Sequence, residues 1–477
     1  MRTLSARSLS IRAVVLLLVL GTLLPGCGGG GSQAPAPALD LAGRMDAYLQ
    51  AAQKLHWFTG SVLVARGGQV LLSRGYGMAN YELDVPNTPQ TKFRLGSVTK
   101  QFTSMAIMQL ETQGRLKVTD TVKTFFPDYP KGDKITIRHL LTHTSGVPNF
   151  TDSPEYLKAM TLPTTPLETV AKFKNLPLDF APGEKWNYSN SGYILLGAII
   201  EKVTGGSYEK FVRENIFRPL GMNDSGYDHA EEIIKNRASG YEYPDDKLAN
   251  CKYVDMSIPY AAGSLYSTVE DLYKWDRALY TEKLLPKAAL DRMFTPFEFT
   301  GTLSPEPAPS KASYAYGWMI NIYAGHKEIH HSGGVNGFTT DILRFPDDDA
   351  CVIVLNNSMT AYTGVVSRSM ADYLFGQTVE MPAEKKAIIL PAAVLDAYAG
   401  RYQPEGAPLV FTLVREGDGL FIQVPGQPRM VLSAESETTF FIKSVNLGLT
   451  FVKDASGKVT HFLLLQGKQE TKAIRLK

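Results

Sequence analysis

Ser97-Val98-Thr99-Lys100-Gln101-Phe102-Thr103-Ser104-Met105-Ala106-Ile107-Met108-Gln109-Leu110 places a hydroxyl and an amine three residues apart at the head of an apolar run. Residues three apart on a helix share a face, so a helix opening near Ser97 sets the Lys100 amine beside the Ser97 hydroxyl. Phe102, Met105, Ala106, Ile107, Met108 and Leu110 predict a buried helix, which Gly114 is suited to end. At its first turn Ser97 would meet the positive end of the helix dipole, with its own backbone N–H free to donate.

Lysine can deprotonate such a serine only if its amine is neutral, a state favoured by burial and by a second cation nearby. The spacing alone does not decide the matter, because Ser207-Tyr208-Glu209-Lys210 repeats it directly after Gly205-Gly206. There the preceding loop glycines and the following Glu209, Lys210 and Glu214 predict an ordinary helix N-cap at the surface.

Two further segments fit Ser97. Tyr188-Ser189-Asn190 follows the turn signal Pro182-Gly183 and precedes the apolar run Tyr193 to Ile200, so it is expected on a loop entering a helix. As a functional element, the Tyr188 phenol would take or relay the serine proton, held partly ionised by Lys100, and the Asn190 amide would orient substrate. As a structural one, Tyr188 would be a packed aromatic and Asn190 a cap. His331-Ser332-Gly333-Gly334 lies between the strand-like runs Tyr316 to Tyr323 and Phe338 to Phe345. Its glycines by themselves favour a hairpin turn; in a functional role they would let a strand edge run beside a ligand, with the Gly334 N–H donating to an oxyanion and the His331 side chain in the cleft.

The three segments, in this order, resemble the serine β-lactamase and penicillin-binding-protein superfamily, in particular its class C-like, D-aminopeptidase and esterase branch. The resemblance spans roughly Leu39 to Phe375. It is strengthened by Leu140-Leu141-Thr142-His143-Thr144-Ser145-Gly146, by Pro219-Leu220-Gly221-Met222, and by Ala261-Ala262-Gly263-Ser264-Leu265-Tyr266-Ser267-Thr268 with Asp271, Leu272 and Trp275. It implies an acyl-enzyme on Ser97, proton transfer by Lys100 and Tyr188, an oxyanion hole from the Ser97 and Gly334 amides, and substrate contacts from Asn190, His331, Ser332 and Gly333. No metal or other cofactor is implied. Many relatives carry lysine where this chain has His331, and imidazole is charged only part of the time at neutral pH. That change favours an esterase, amidase or D-residue peptidase over a D-alanyl-D-alanine carboxypeptidase or β-lactamase. A silent envelope protein that binds peptidoglycan peptides or a partner is the reading from outside enzymology.

Eight histidines are available for a metal, and the pair His139 and His143 has helical i, i+4 spacing. Zinc hydrolases with that spacing want glutamate after the first histidine, and Leu140 stands there. His143 is expected instead to fix a loop by hydrogen bonds, and His330 to face away from His331. A formal charge of +2 without a long basic run argues against nucleic-acid binding.

Arg2, Arg7 and Arg12 lead into the apolar stretch Ala13 to Leu24, too short to span a bilayer and typical of a secretory signal. Leu24-Pro25-Gly26-Cys27 looks like a bacterial lipoprotein cleavage box, which makes Cys27 the expected lipidated residue. The protein is thus expected in the cell envelope, anchored to a membrane by lipid. Cys251 and Cys351 are the other cysteines, and an oxidising envelope would permit a bridge between them without requiring one.

The predicted fold class is α+β: a two-lobed β-lactamase/transpeptidase-like fold with an antiparallel five-stranded sheet flanked by helices, a helical lobe, and then a small all-β barrel. The five strands are Gly60 to Ala65, Gln69 to Arg74, Tyr316 to Tyr323, Phe338 to Phe345 and Cys351 to Leu355. Helices are expected near Asp40 to Leu55 and Gly364 to Phe375, and a mostly helical lobe from Ser97 to about Leu290. The expected organisation is a signal at 1–27, a tether at 28–38, a hydrolase domain at 39–376, a linker at 377–391 and a barrel at 392–477. In the barrel, seven or so short alternating strands begin at Leu409. Tyr398-Ala399-Gly400-Arg401-Tyr402 resembles the start of the lipocalin-like domains that accompany some members of this superfamily. A small molecule or peptide is the expected partner of the cleft.

Overall fold

The computed structural model describes residues 40–243, 247–297, 313–360, 362–406, 409–425, 429–442, 447–466 and 469–476. The expected signal, tether and lipidation site at Cys27 lie outside the described residues. Asp40 caps helix α1 (Leu41–Lys54), its side chain accepting from the Gly43 N–H at 2.7 Å. Strands β1 (Gly60–Arg66) and β2 (Gln69–Tyr76) follow as a hairpin, and helix α2 (Thr99–Thr112) continues from a short 3-10 turn at Gly96–Val98. Gln113 ends α2 and Gly114 takes the left-handed conformation just after it (φ 70°). Helix α3 (Asn190–Thr204) runs through the middle of the helical lobe.

The sheet has seven strands rather than five. β3 (Ser313–Tyr314), β4 (Met319–Tyr323), β5 (His326–Val335), β6 (Phe338–Phe345) and β7 (Ala350–Asn356) join the first hairpin in the order β3-β4-β5-β6-β7-β1-β2, all antiparallel. Two strands are additional to the five expected. Two-residue β3 is too short to show a period; for β5 the strand reading of His331 to Gly334 competes with a hairpin turn, because Gly333-Gly334 punctuates its end as a turn would. His331-Ser332-Gly333-Gly334 is therefore strand, with Ser332 opposite Asp341 and Gly334 opposite Thr339.

Both faces of the sheet are covered, which explains why Cys351-Val352-Ile353-Val354-Leu355 is apolar without alternation. Leu63, Ile353 and Leu355 pack against α2 and the helical lobe, while Val62, Val64, Val352 and Val354 pack with α1 and helix α4 (Thr363–Leu374) on the other side. The two-residue pleat divides one strand between two cores.

The C-terminal barrel is closed by eight strands: β8 (Gly400–Pro404), β9 (Phe411–Glu416), β10 (Gly419–Gln423), β11 (Met430–Ala434), β12 (Thr439–Ile442), β13 (Leu447–Lys453), β14 (Val459–Gln466) and β15 (Gln469–Arg475). β8 pairs with both β9 and β15 and so closes the ring. It was missed as a strand because its sequence, Gly400-Arg401-Tyr402-Gln403-Pro404, begins with glycine and ends with proline. Tyr398, Tyr402, Phe440, Phe451 and Phe462 fill the interior, with Tyr398 stacked on Phe451 at 4.2 Å between ring centroids. Cys251 and Cys351 are both free thiols.

Candidate active site

The turn before α2 brings Ser97 and Lys100 together as the spacing predicts, with Lys100 Nζ 3.0 Å from Ser97 Oγ. Lys100 is fully buried, and burial holds its amine well below the usual lysine range. Two obligate acceptors flank it: Asn190 Oδ1 and the Ala262 carbonyl, each at 2.9 Å. A neutral amine has two N–H donors and one lone pair. With both donors taken by these oxygens, the lone pair is left for the Ser97 hydroxyl.

Asn190 opens α3, so that helix fixes its place. Its Nδ2 donates to Thr151 Oγ1 at 3.2 Å while its oxygen faces Lys100. The Asn190 oxygen, beyond the substrate contact expected of this amide, accepts from Lys100 Nζ. The Ala262 carbonyl belongs to the short helix Tyr260–Gly263, and its neighbour Ala261 accepts from Thr103 Oγ1 at 2.7 Å. Sequence reasoning passed over Ala262 because a backbone carbonyl leaves no side-chain signature.

Tyr188 lies fully within the site, its ring centroid 4.8 Å from Lys100 Nζ and its phenol in contact with Ser97. Burial pushes this phenol up, opposed by the Ser97 contact. Tyr188 is therefore a protonated phenol at neutral pH, contrary to the expectation of partial ionisation: a neutral Lys100 supplies no charge to offset desolvation.

Strand β5 lies hard against the serine turn. Gly96 has φ 53°, and a Cβ there would come within 2.7 Å of the Gly334 nitrogen; a Cβ on Gly333 would lie 2.0 Å from the Leu95 carbonyl oxygen. Only glycine allows this approach of two backbones, which brings the Ser97 and Gly334 amides to one cleft. Thr340 ties β6 to the same turn, donating to the Leu95 carbonyl at 2.8 Å. Ser332 and Gly334 are exposed.

His331 does not present a free imidazole. Its Nδ1 lies 2.6 Å from the Ser332 carbonyl, which can only accept, so Nδ1 carries the proton and Nε2 accepts from the Tyr314 hydroxyl at 3.0 Å. Burial, then the neighbouring Lys100, lowers its pKa to about 3. The ring is neutral throughout the working pH range rather than charged part of the time. Tyr314, on β3, is the residue that sequence reasoning had no signal for. His330 faces the opposite side of the sheet, as expected, where Nε2 meets Asn321 Nδ2 at 2.9 Å.

His139 and His143 do not form a pair. His139 Nδ1 accepts from the Thr136 N–H and completes a helix cap, whereas His143 enters the Lys100 surroundings. Among the described residues no three His, Cys, Asp or Glu side chains converge as a metal site requires. Ser207 is an N-cap, accepting from the Lys210 N–H at 3.2 Å.

Residues 45–375 match the family model described as Beta-lactamase, and residues 384–475 match a domain of unknown function, DUF3471. The chain is 32% identical over 449 residues to penicillin-binding protein 4* of Bacillus subtilis, a match covering 88% of this chain and 96% of that one. Its structure is similar to that of the octameric penicillin-binding protein homologue from Pyrococcus abyssi, with a TM-score of 0.64 and 27% identity over 90% of this chain and 99% of the other. It is also similar to the D-amino acid amidase from Ochrobactrum anthropi SV3, with a TM-score of 0.60 and 26% identity over 70% and 97% of the two chains. A family match over most of the chain, joined to a Ser97 hydroxyl beside the buried Lys100 amine on the matching fold, places this protein in the beta-lactamase family of serine hydrolases.

Proposed function

We propose that the protein hydrolyses ester or amide bonds through a Ser97 acyl-enzyme, acting on small esters, D-amino acid amides or peptides. The arrangement of Lys100 carries this reading: two acceptors consume its N–H groups, so its lone pair takes the Ser97 proton as Oγ attacks the carbonyl carbon. The oxyanion of the tetrahedral intermediate is held by the Ser97 and Gly334 N–H groups. Tyr188, protonated and beside Ser97, donates its proton to the departing alcohol or amine and regains one from the Lys100 ammonium. Water then attacks the acyl ester, giving its proton to the same pair as Ser97 Oγ leaves and is reprotonated.

The neutral His331 supports substrates without a free carboxylate next to the scissile bond, because an uncharged ring held by Tyr314 offers no ion pair to such a group. Similarity to a D-amino acid amidase supports the same substrate class. We place the enzyme in the bacterial cell envelope, tethered through lipid on Cys27. The test is turnover of a short-chain p-nitrophenyl ester and of paired D- and L-amino acid amides by the chain starting at Gln33, beside Ser97→Ala. Hydrolysis that survives the substitution would overturn the mechanism, and indifference between D and L amides would overturn the substrate class. Palmitate incorporation that is lost in Cys27→Ala tests the tether.

A further inference from the structure

The Ser97 mechanism needs a dry Lys100 and a fixed Tyr188, and both conditions meet at His143, a residue outside the three motifs. His143 is 1% exposed and sits at φ 58°, a conformation uncommon for a residue with a side chain. It grips the Tyr188 loop on both sides: its carbonyl accepts from the Asn187 N–H at 3.0 Å, and its Nδ1 accepts from the Ser189 N–H at 3.1 Å. Between those two bonds Tyr188 lies against the imidazole, with ring centroids 4.3 Å apart. The same ring packs on Tyr193 at 5.2 Å and Tyr314 at 4.6 Å, and so walls the chamber that holds Lys100.

We infer that His143 is a positioning residue for catalysis: by clamping the Asn187 to Ser189 backbone and covering Lys100, it holds the Tyr188 phenol in place and keeps water from the amine. The inference rests on the proposed roles of Ser97, Lys100 and Tyr188. Because Nδ1 accepts, the neutral ring carries its proton on Nε2, and that N–H is buried without a hydrogen-bond partner among the described residues. The second nitrogen is therefore dispensable and the first is not. The titratable groups facing Lys100 are Tyr188, Tyr193, His143 and His331; burial keeps both phenols protonated and both imidazoles neutral. Exclusion of water thus governs the state of the amine.

Packing and clamping predict opposite orders for two substitutions. His143→Phe keeps an aromatic ring but leaves the Ser189 N–H unpaired. His143→Asn loses the ring, yet its Oδ1 replaces the Nδ1 acceptor, and asparagine tolerates positive φ. His143→Phe is expected to lose about 100-fold in kcat with KM within a factor of three. His143→Asn is expected to stay within about tenfold of the parent. The Lys100 titration midpoint, followed by the Cε shift in selectively 13C-labelled protein, is expected to hold in His143→Phe, which keeps the ring over the amine, and to rise in His143→Asn, which removes it. His143→Gln, whose amide reaches past the Nδ1 position, replaces His143→Phe in the activity comparison should the latter not fold. Equal or greater activity in His143→Phe, or one Lys100 midpoint for all variants, would overturn the inference. If Ser97→Ala turned over substrate like the parent, the nucleophile assignment would fall while the Lys100 midpoint still decided the role of His143.

Discussion

Two segments of this chain carry the same Ser-x-x-Lys spacing and share no chemistry. Ser97 and Lys100 open a helix buried from Thr99 to Leu110, where the amine meets two carbonyl-type oxygens and a hydroxyl. Ser207 and Lys210 are exposed, and the Ser207 hydroxyl is spent on the Lys210 backbone N–H as a helix cap. Spacing delivers proximity in the first case and capping in the second. What separates them is desolvation: an amine in water remains an ammonium with no lone pair to offer, whereas the buried amine is held neutral.

The comparison breaks most decisively through activity. Ser97→Ala and Lys100→Ala are expected to reduce ester turnover by about 1,000-fold or more. Ser207→Ala and Lys210→Ala are expected to leave kcat/KM within about twofold. A matching loss in the second pair would overturn the assignment of the nucleophile. Next in size is Tyr188→Phe, which keeps the ring and removes the proton carrier. A fall of about 100-fold or more in kcat is expected, with unchanged thermal unfolding; an unaltered kcat would remove Tyr188 from the proton path.

The pH dependence sharpens the contrast further. Activity should rise with pH through the depressed Lys100 midpoint, because the amine must be neutral to take the serine proton. Stability follows the same sign. Below 10.5 the unfolded chain binds a proton on Lys100 that the folded protein resists, so the buried lysine is destabilising at neutral pH and progressively less so as pH approaches 10.5. Lys100→Met is therefore expected to be inactive yet more resistant to urea at pH 7 than the parent, a gain that shrinks by pH 10. Lys210→Met should show no such pH-dependent gain. The smallest effect is expected from Ser207→Ala: about 1 kcal/mol of stability lost with its cap, read by denaturant unfolding, with full activity.

Much of the fold was legible because its elements obey local rules. The apolar run from Phe102 to Leu110 is a buried helix, Asp40 caps α1, and the alternating segments after Leu409 form a barrel. The elements that escaped notice have weak periods or misleading punctuation: β3 has two residues, β5 ends in paired glycines, and β8 begins with glycine and ends in proline. The site divides in the same way. Ser97, Lys100, Tyr188 and the His331 to Gly334 run carry readable side chains or glycines in order along the chain. The Ala262 carbonyl and Tyr314 do not, because each acts through tertiary placement of a group that local sequence cannot mark; the expectation that His143 fixes a loop by hydrogen bonds is met by its bond with the Ser189 N–H, though the sequence does not say which loop.

By itself, the amino-acid sequence determined that this chain carries a candidate nucleophile and base one turn apart, a two-lobed α+β architecture and a terminal barrel, since hydrophobic period, turn residues and short spacings are local properties. Only the tertiary structure decided that the Lys100 amine is fully buried between two acceptors, that Tyr188 is a protonated phenol, and that His331 is an uncharged hydrogen-bond partner of Tyr314. Protonation depends on desolvation and on the acceptors within about 3 Å, and residues distant in the chain supply both.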